Sequence, residues 1–196
     1  MTGYLHNAWR VVGRIEGSAA EIERMAESHG GALALVADAG LPDDLDKLYF
    51  DGAGVRALPA RPSLGHDWNG TAWVESLARA KALKNAEINA ARLTANLSTF
   101  TFAGHPFDAN AESRSSIDGI NGYVALQGAL SADFPGMWKA ADNAYVSIPD
   151  VTTWKAFYAA MVAQGTANYL RSEDRKAAIA AATTAAAVAA ITWEAS

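Results

Sequence analysis

The chain reads as α+β, with a small N-terminal module rich in β-hairpins followed by a mainly α-helical domain that carries further hairpins. Three observations predict this. Short runs of β-branched and aromatic residues flank Gly-, Asn- or Asp-containing turns in the first seventy-odd residues. From Glu75 to Leu97 there is neither Gly nor Pro, and Ala, Leu, Lys and Glu dominate. Then Phe-Thr-Phe-Ala-Gly-His-Pro-Phe-Asp, residues 100–108, places aromatic residues on both sides of a turn between two helical stretches.

The N-terminal elements follow in order. Residues 4–15 form a hairpin turning near Asn7-Ala8, with Trp9, Val11, Val12 and Ile15 in the second strand. Ser18 and Glu21 have capping-box spacing, and Ile22, Met25 and Ala26 supply an apolar stripe. Gly30-Gly31 ends that helix, and residues 32–36 make a buried strand. Residues 48–58 form a hairpin turning at Asp51-Gly52. Pro59 and Pro62 mark a linker. Asn69-Gly70 then turns a hairpin in which Trp68 and Trp73 face each other. The N-terminal module is 1–74 and the helical domain 75–196.

In the helical domain, Leu83, Ala86, Ala90, Leu93 and Leu97 alternate spacings of three and four. Such a stripe either lies on the chain's own domain or forms a seam between copies. A helix follows from Ala111 to Leu130, where Gly119, Gly122 and Gly128 suggest close approach of a neighbouring backbone. A hairpin turning at Asp142-Asn143 leads to Pro149 and to Asp150, a helix cap. Trp154, Phe157, Tyr158, Met161, Val162 and Tyr169 make an apolar stripe on that helix. Residues 172–193 read as two short Ala-rich helices, the second capped by Thr183 or Thr184, with Ile179, Val188, Ile191 and Trp193 as anchors.

Bulk composition narrows the function. The 196 residues contain no cysteine, so disulfides, thiolate metal sites and a cysteine nucleophile are absent. A net charge of −5 with scattered Lys and Arg argues against nucleic acid as a partner. The Ala-rich stretch 177–191 is too weakly apolar for a membrane span, and residues 1–14 lack the pattern of a signal peptide. The four histidines, His6, His29, His66 and His105, have no metal-ligand spacing. His66 beside Asp67 reads as a solvated loop pair rather than an acid–base pair. Asp43, Asp44 and Asp46 lack the Gly and Glu of a calcium loop. The Gly-rich 51–54 stretch does not enter a helix as a phosphate cradle must. No serine-nucleophile elbow exists. The expectation is a protein that is not an enzyme, with no cofactor and no catalytic or metal-binding residue. Its candidate sites are interface positions: Leu83, Ala86, Ala90, Leu93 and Leu97 on one helix, and Trp68 and Trp73 on a hairpin.

Certain stretches, in order, resemble a family of tail and tail-fibre-associated proteins of tailed bacteriophages, itself of unknown function. These are residues 82–92 (Ala-Leu-Lys-Asn-Ala-Glu-Ile-Asn-Ala-Ala-Arg), 100–108, 113–119 (Ser-Arg-Ser-Ser-Ile-Asp-Gly), 138–146 (Trp-Lys-Ala-Ala-Asp-Asn-Ala-Tyr-Val) and 175–184. Before them, Gly54, Pro59, Pro62, His66, Trp68, Trp73 and Val74 resemble the run that precedes the long helix in such proteins. The resemblance implies a virion component of the tail tip, baseplate or tail fibre, assembled in the host cytoplasm and working by protein–protein docking. Implied partners are other tail proteins, further copies of the chain (a homo-oligomer such as a trimer) and a host surface receptor. Two other readings stay open: an assembly chaperone that leaves before maturation, and a carbohydrate-binding module using exposed Trp68 and Trp73.

Overall fold

The computed structural model describes residues 2–29, 32–36 and 40–194. The protein is α+β, and the chain divides into two compact units, Met1–Arg79 and Ala80–Ser196.

The first unit is built on a five-stranded antiparallel sheet of order β3-β1-β2-β4-β5. Its strands are β1 (Thr2–Asn7), β2 (Arg10–Glu16), β3 (Ala32–Val36), β4 (Leu48–Phe50) and β5 (Val55–Ala57). The β1–β2 turn holds Ala8 and Trp9, one residue later than expected, with Ala8 at φ 49°. A bulge lets Leu5 face Gly13 and His6 face Val11, so Val12 is skipped and points to solvent. Helix α1 (Ala19–His29) starts with the anticipated capping box: Ser18 N–H donates to Glu21 Oε2 at 2.9 Å, and Glu21 N–H donates to Ser18 Oγ at 3.4 Å. Ile22 and Ala26 are buried, but Met25 is half exposed, because it sits a quarter-turn off their line. The Gly30-Gly31 stop lies outside the described residues.

Tyr4, Val11, Leu48 and Val55 form the sheet's core, with Leu41, Leu45 and Phe50 against it. His6 stacks on Phe50 at 3.7 Å and binds the Ala8 carbonyl through Nδ1. The β4–β5 connection is wider than a two-residue Asp-Gly turn, since Phe50 pairs with Val55. Asp51 closes it by accepting from Ala53 N–H and Gly54 N–H, each at 2.8 Å, and from Arg56 Nε at 2.9 Å. These donors, Ala53 N–H first, hold the Asp51 carboxylate down to about 2. A separate ribbon, β6 (His66–Trp68) and β7 (Trp73–Glu75), completes the unit. Here too the turn is longer than Asn-Gly alone: Trp68 pairs with Trp73, and Asn69 Oδ1 accepts from Thr71 N–H and Ala72 N–H.

The second unit takes most of α2 (Leu77–Asn96), then the ribbon β8 (Thr99–Phe102) and β9 (His105–Asp108). It continues with α3 (Ala111–Gln127), the ribbon β10 (Met137–Lys139) and β11 (Tyr145–Ser147), α4 (Val151–Ala181) and α5 (Ala185–Ala189). Phe157 of α4 lies within 6 Å of five other rings: Phe100 at 5.1 Å, Phe102 at 5.4 Å, Phe107 at 5.0 Å, Trp138 at 5.9 Å and Trp154 at 5.5 Å. Edge-to-face geometry dominates, as ring quadrupoles favour. Ile117 and Val124 of α3, Ile148 and Met161 close this core. Asn110, Asp150 and Thr184 cap α3, α4 and α5 with their side-chain oxygens.

Three expectations for this unit are corrected. Gly119 and Gly122 meet nothing, and a Cβ at either would enter open space, so no backbone crowds α3 there. Gly128 ends that helix at φ 70° instead. Val162 and Tyr169 are about half exposed, since the buried line of α4 runs through Trp154, Phe157, Met161, Asn168, Ser172 and Ile179. Residues 172–181 are not a separate helix: α4 continues unbroken to Ala181, and Ser172 Oγ donates back to the Tyr169 carbonyl.

Truncating the ring that all the others touch, Phe157→Ala, is expected to destabilise the second unit by about 3–5 kcal/mol, read from the urea midpoint by circular dichroism. The depressed Asp51 value gives a pH signature in the first unit. Its ionised form stabilises the fold above the ordinary value of 3.8, and that contribution is lost as pH falls from there to about 2. Asp51→Asn is expected to remove this portion of the acid-induced loss of stability, followed by tryptophan fluorescence.

Candidate functional site

Helix α2 is amphipathic in the reverse of the usual sense. The residues turned towards its own unit include Lys81, Lys84, Asn85, Ile88, Arg92 and Asn96, of which Ile88 is fully buried and the others are half-buried. The residues turned outward are Ala82, Leu83, Ala86, Glu87, Asn89, Ala90, Leu93, Thr94 and Leu97. Leu83 is 42% exposed, Leu93 60% and Leu97 39%. From Ala82 to Leu97 the one ionised outward residue is Glu87, and it pairs with Lys84 of the same helix at 2.7 Å. A helix seated on its own core normally shows the opposite distribution.

Polar contacts along the inner side explain the orientation. Lys81 Nζ donates to the Ala180 carbonyl at 2.7 Å, near the C-terminus of α4. At the other end, Gln164 Nε2 donates to the Ala95 carbonyl at 2.6 Å and Asn168 Nδ2 to Asn96 Oδ1 at 3.0 Å. Helices α2 and α4 therefore run antiparallel. Arg114 of α3 adds Nη2 to the Asn96 carbonyl at 2.6 Å, Nε to the Ala109 carbonyl at 2.9 Å, and Nη2 to Gln164 Oε1 at 3.1 Å. The last carbonyls of α2, which have no partner within the helix, are thus met by a cation and an amide.

The five sequence-predicted positions Leu83, Ala86, Ala90, Leu93 and Leu97 accordingly share one solvent-facing side of α2. Of the two placements open to such a stripe, packing on the chain's own domain is not the one observed. The other two candidates, Trp68 and Trp73, lie in the first unit and pair edge to face at 5.5 Å. Trp68 is 8% exposed, so it is a buried wall and not the exposed ring that the carbohydrate-binding alternative calls for, whereas Trp73 is half-buried with Nε1 on the Pro59 carbonyl at 2.9 Å.

These rings line a cavity of about 570 Å³ in the first unit. Charged groups converge on it from distant parts of the sequence. Asp67 accepts from Arg79 Nε at 2.7 Å, and the Ser76 hydroxyl and the Arg79 guanidinium together hold its carboxyl below the usual range. His66 does not pair with Asp67; its Nδ1 meets Ser63 Oγ at 2.9 Å. Arg61 lies over the Trp73 ring at 5.4 Å, and Arg10 over Trp9 at 5.6 Å. Gly70 sits against Trp9, where a Cβ would come within 2.8 Å of the ring at a backbone φ of 105°. Sequence reasoning missed Arg10, Arg61 and Arg79 here. Spacing carries no signal for them, because the start of β2, the loop at 61 and the first turn of α2 meet only through the fold.

Among the described residues, no three histidine or carboxylate side chains are grouped to hold a metal ion. No helix among them is long and apolar enough to cross a membrane. His105 Nδ1 meets Asp142 Oδ2 at 2.8 Å, joining two exposed hairpin turns.

A helical unit with interleaved two-stranded ribbons and an outward apolar helix is the class of protein these observations define. Residues 79–192, more than half the chain, match a domain of unknown function, DUF4376, and the chain belongs to that family. No curated protein and no solved structure matches it.

Proposed function

We propose that this chain is a structural component of a tailed-phage virion, at the tail tip, baseplate or tail fibre, acting by docking to other tail proteins. The observation that carries the docking part is the outward apolar side of α2. Exposed apolar surface in this density on a helix marks a contact site. The phage setting is supported by the ordered resemblance of residues 82–92, 100–108, 113–119, 138–146 and 175–184 to tail-associated proteins. On this reading the chain is assembled in the host cytoplasm, carries no cofactor and is not an enzyme. Mass spectrometry of purified particles is the test. Recovery of the chain at a fixed ratio to other tail proteins is the expected outcome. Abundance in infected lysate with absence from intact particles would overturn it in favour of an assembly chaperone.

A second reading, saccharide binding for host attachment, draws on the cavity of the first unit. Its volume falls in the range of about 300–1,000 Å³ usual for small-molecule sites. It combines indole walls with arginine donors and the Asp67 acceptor, the mix that orients a hydroxyl-bearing ring. Binding on a glycan array, lost in Trp73→Ala with the fold intact by circular dichroism, is the result this reading expects. An array without signal for the unmodified chain removes it.

A further inference from the structure

We propose that the saccharide taken by the cavity of the first unit is an acidic one, a sugar carrying a carboxylate, sulfate or phosphate group. The inference rests on the saccharide reading above and names the class of sugar. The ionised side chains lining the cavity are Arg10, Arg61 and Arg79 against Asp46 and Asp67. One positive charge is therefore in surplus, on a chain whose net charge is −5.

The surplus lies around Asp67. Its Oδ1 meets Arg79 Nε at 2.7 Å and Arg79 Nη2 at 2.6 Å, and Arg61 Nη2 lies 3.8 Å from the same oxygen. Two guanidinium groups thus share one carboxylate. The remaining charges, Arg10 and Asp46, are exposed and cancel in sign. A neutral sugar closing over this cluster would strip water from the surplus cation without supplying a counter-charge, which is costly. An acidic sugar supplies one.

Free donors are in place to receive it. Arg61 donates Nε to the His66 carbonyl at 2.9 Å, and Nη2 to the Leu64 and His66 carbonyls. Arg79 directs Nε and Nη2 to Asp67. Each keeps its Nη1 without a partner among the described residues. Arg10 makes no hydrogen bond or ion pair among them and lies only over the Trp9 ring. A whole guanidinium fork is therefore open to the paired oxygens of an anion. The Arg10–Trp9 and Arg61–Trp73 stacks also set a cation beside a flat apolar ring. One sugar can then lie against indole while its acidic group reaches a guanidinium. Asp46, on the turn Leu45–Lys47, opposes the same anion, and its carboxylate has no partner among the described residues.

The test is a glycan array probed with the full-length chain, each acidic saccharide printed beside its carboxyl-reduced, desulfated or dephosphorylated counterpart. Isothermal titration with the strongest member follows. Signal on acidic members, lost on their neutral counterparts, is the expected result. Sulfated or phosphorylated members bound in place of carboxylated ones support the same site and name its anion. Arg10→Gln is expected to weaken the titrated affinity about tenfold or more. Arg24→Gln, on α1 and outside the cavity lining, is expected to leave it unchanged. Asp46→Asn is expected to tighten it severalfold, an arm that does not depend on the Arg10 variant folding. Equal binding to neutral counterparts, or an affinity that neither Arg10→Gln nor Asp46→Asn moves, would overturn the proposal and leave the saccharide reading standing. An array without any signal removes both.

Discussion

The fastening of α2 to the other helices of the second unit rests on one electrostatic requirement: the carbonyl groups at the end of α2 must find donors. Arg114 and Gln164 provide them at Asn96 and Ala95, and Asn168 adds a side-chain bond to Asn96. An arginine at a helix C-terminus is favoured by the dipole as well as by the hydrogen bonds. Because these donors come from α3 and α4, the same few contacts hold three helices together. Because they are polar, they draw the polar side of α2 inward. The apolar side then has nowhere to go but outward. The exposed leucines are thus a consequence of how the helix is fastened, not a packing failure.

The other half of the unit's cohesion is apolar and of a different kind. The two ribbons, β8–β9 and β10–β11, contribute Phe100, Phe102, Phe107 and Trp138 to rings gathered at Phe157. Two-stranded ribbons are marginal by themselves. Here each is anchored by aromatic side chains to a helix that does not depend on it for its backbone hydrogen bonds. The Ala141 N–H bond to the Pro106 carbonyl and the His105–Asp142 contact then join the ribbons to each other.

Local chemistry was the most legible part of the sequence. The Ser18–Glu21 box, the Asp150 cap and the aromatic hairpins depend on neighbours within a few residues, and they appear as their residue types dictate. The hairpin turns were legible in place but not in length, because Asp51 and Asn69 each bond two amides further on and hold the loop open wider. Direction was not legible. The α2 stripe was visible as a pattern, yet a period of three and four cannot say which side of a helix faces the core when polar groups across the interface decide it. The exposed Val162 and Tyr169 show the same limit. In the first unit the Trp68–Trp73 pair followed from the hairpin, while the arginines around the cavity arrive from a strand, a loop and a helix and leave no trace in spacing.

Helix α4 runs for thirty-one residues without a break, about 46 Å at 1.5 Å per residue. The aromatic knot grips its first third, and the amides of Gln164 and Asn168 grip its middle. A rod held at two points along its length resists bending better than one held at a single point. In this protein α4 is therefore the common beam of the second unit: the ribbons are fixed to it at Phe157, and the end of α2 at Gln164 and Asn168.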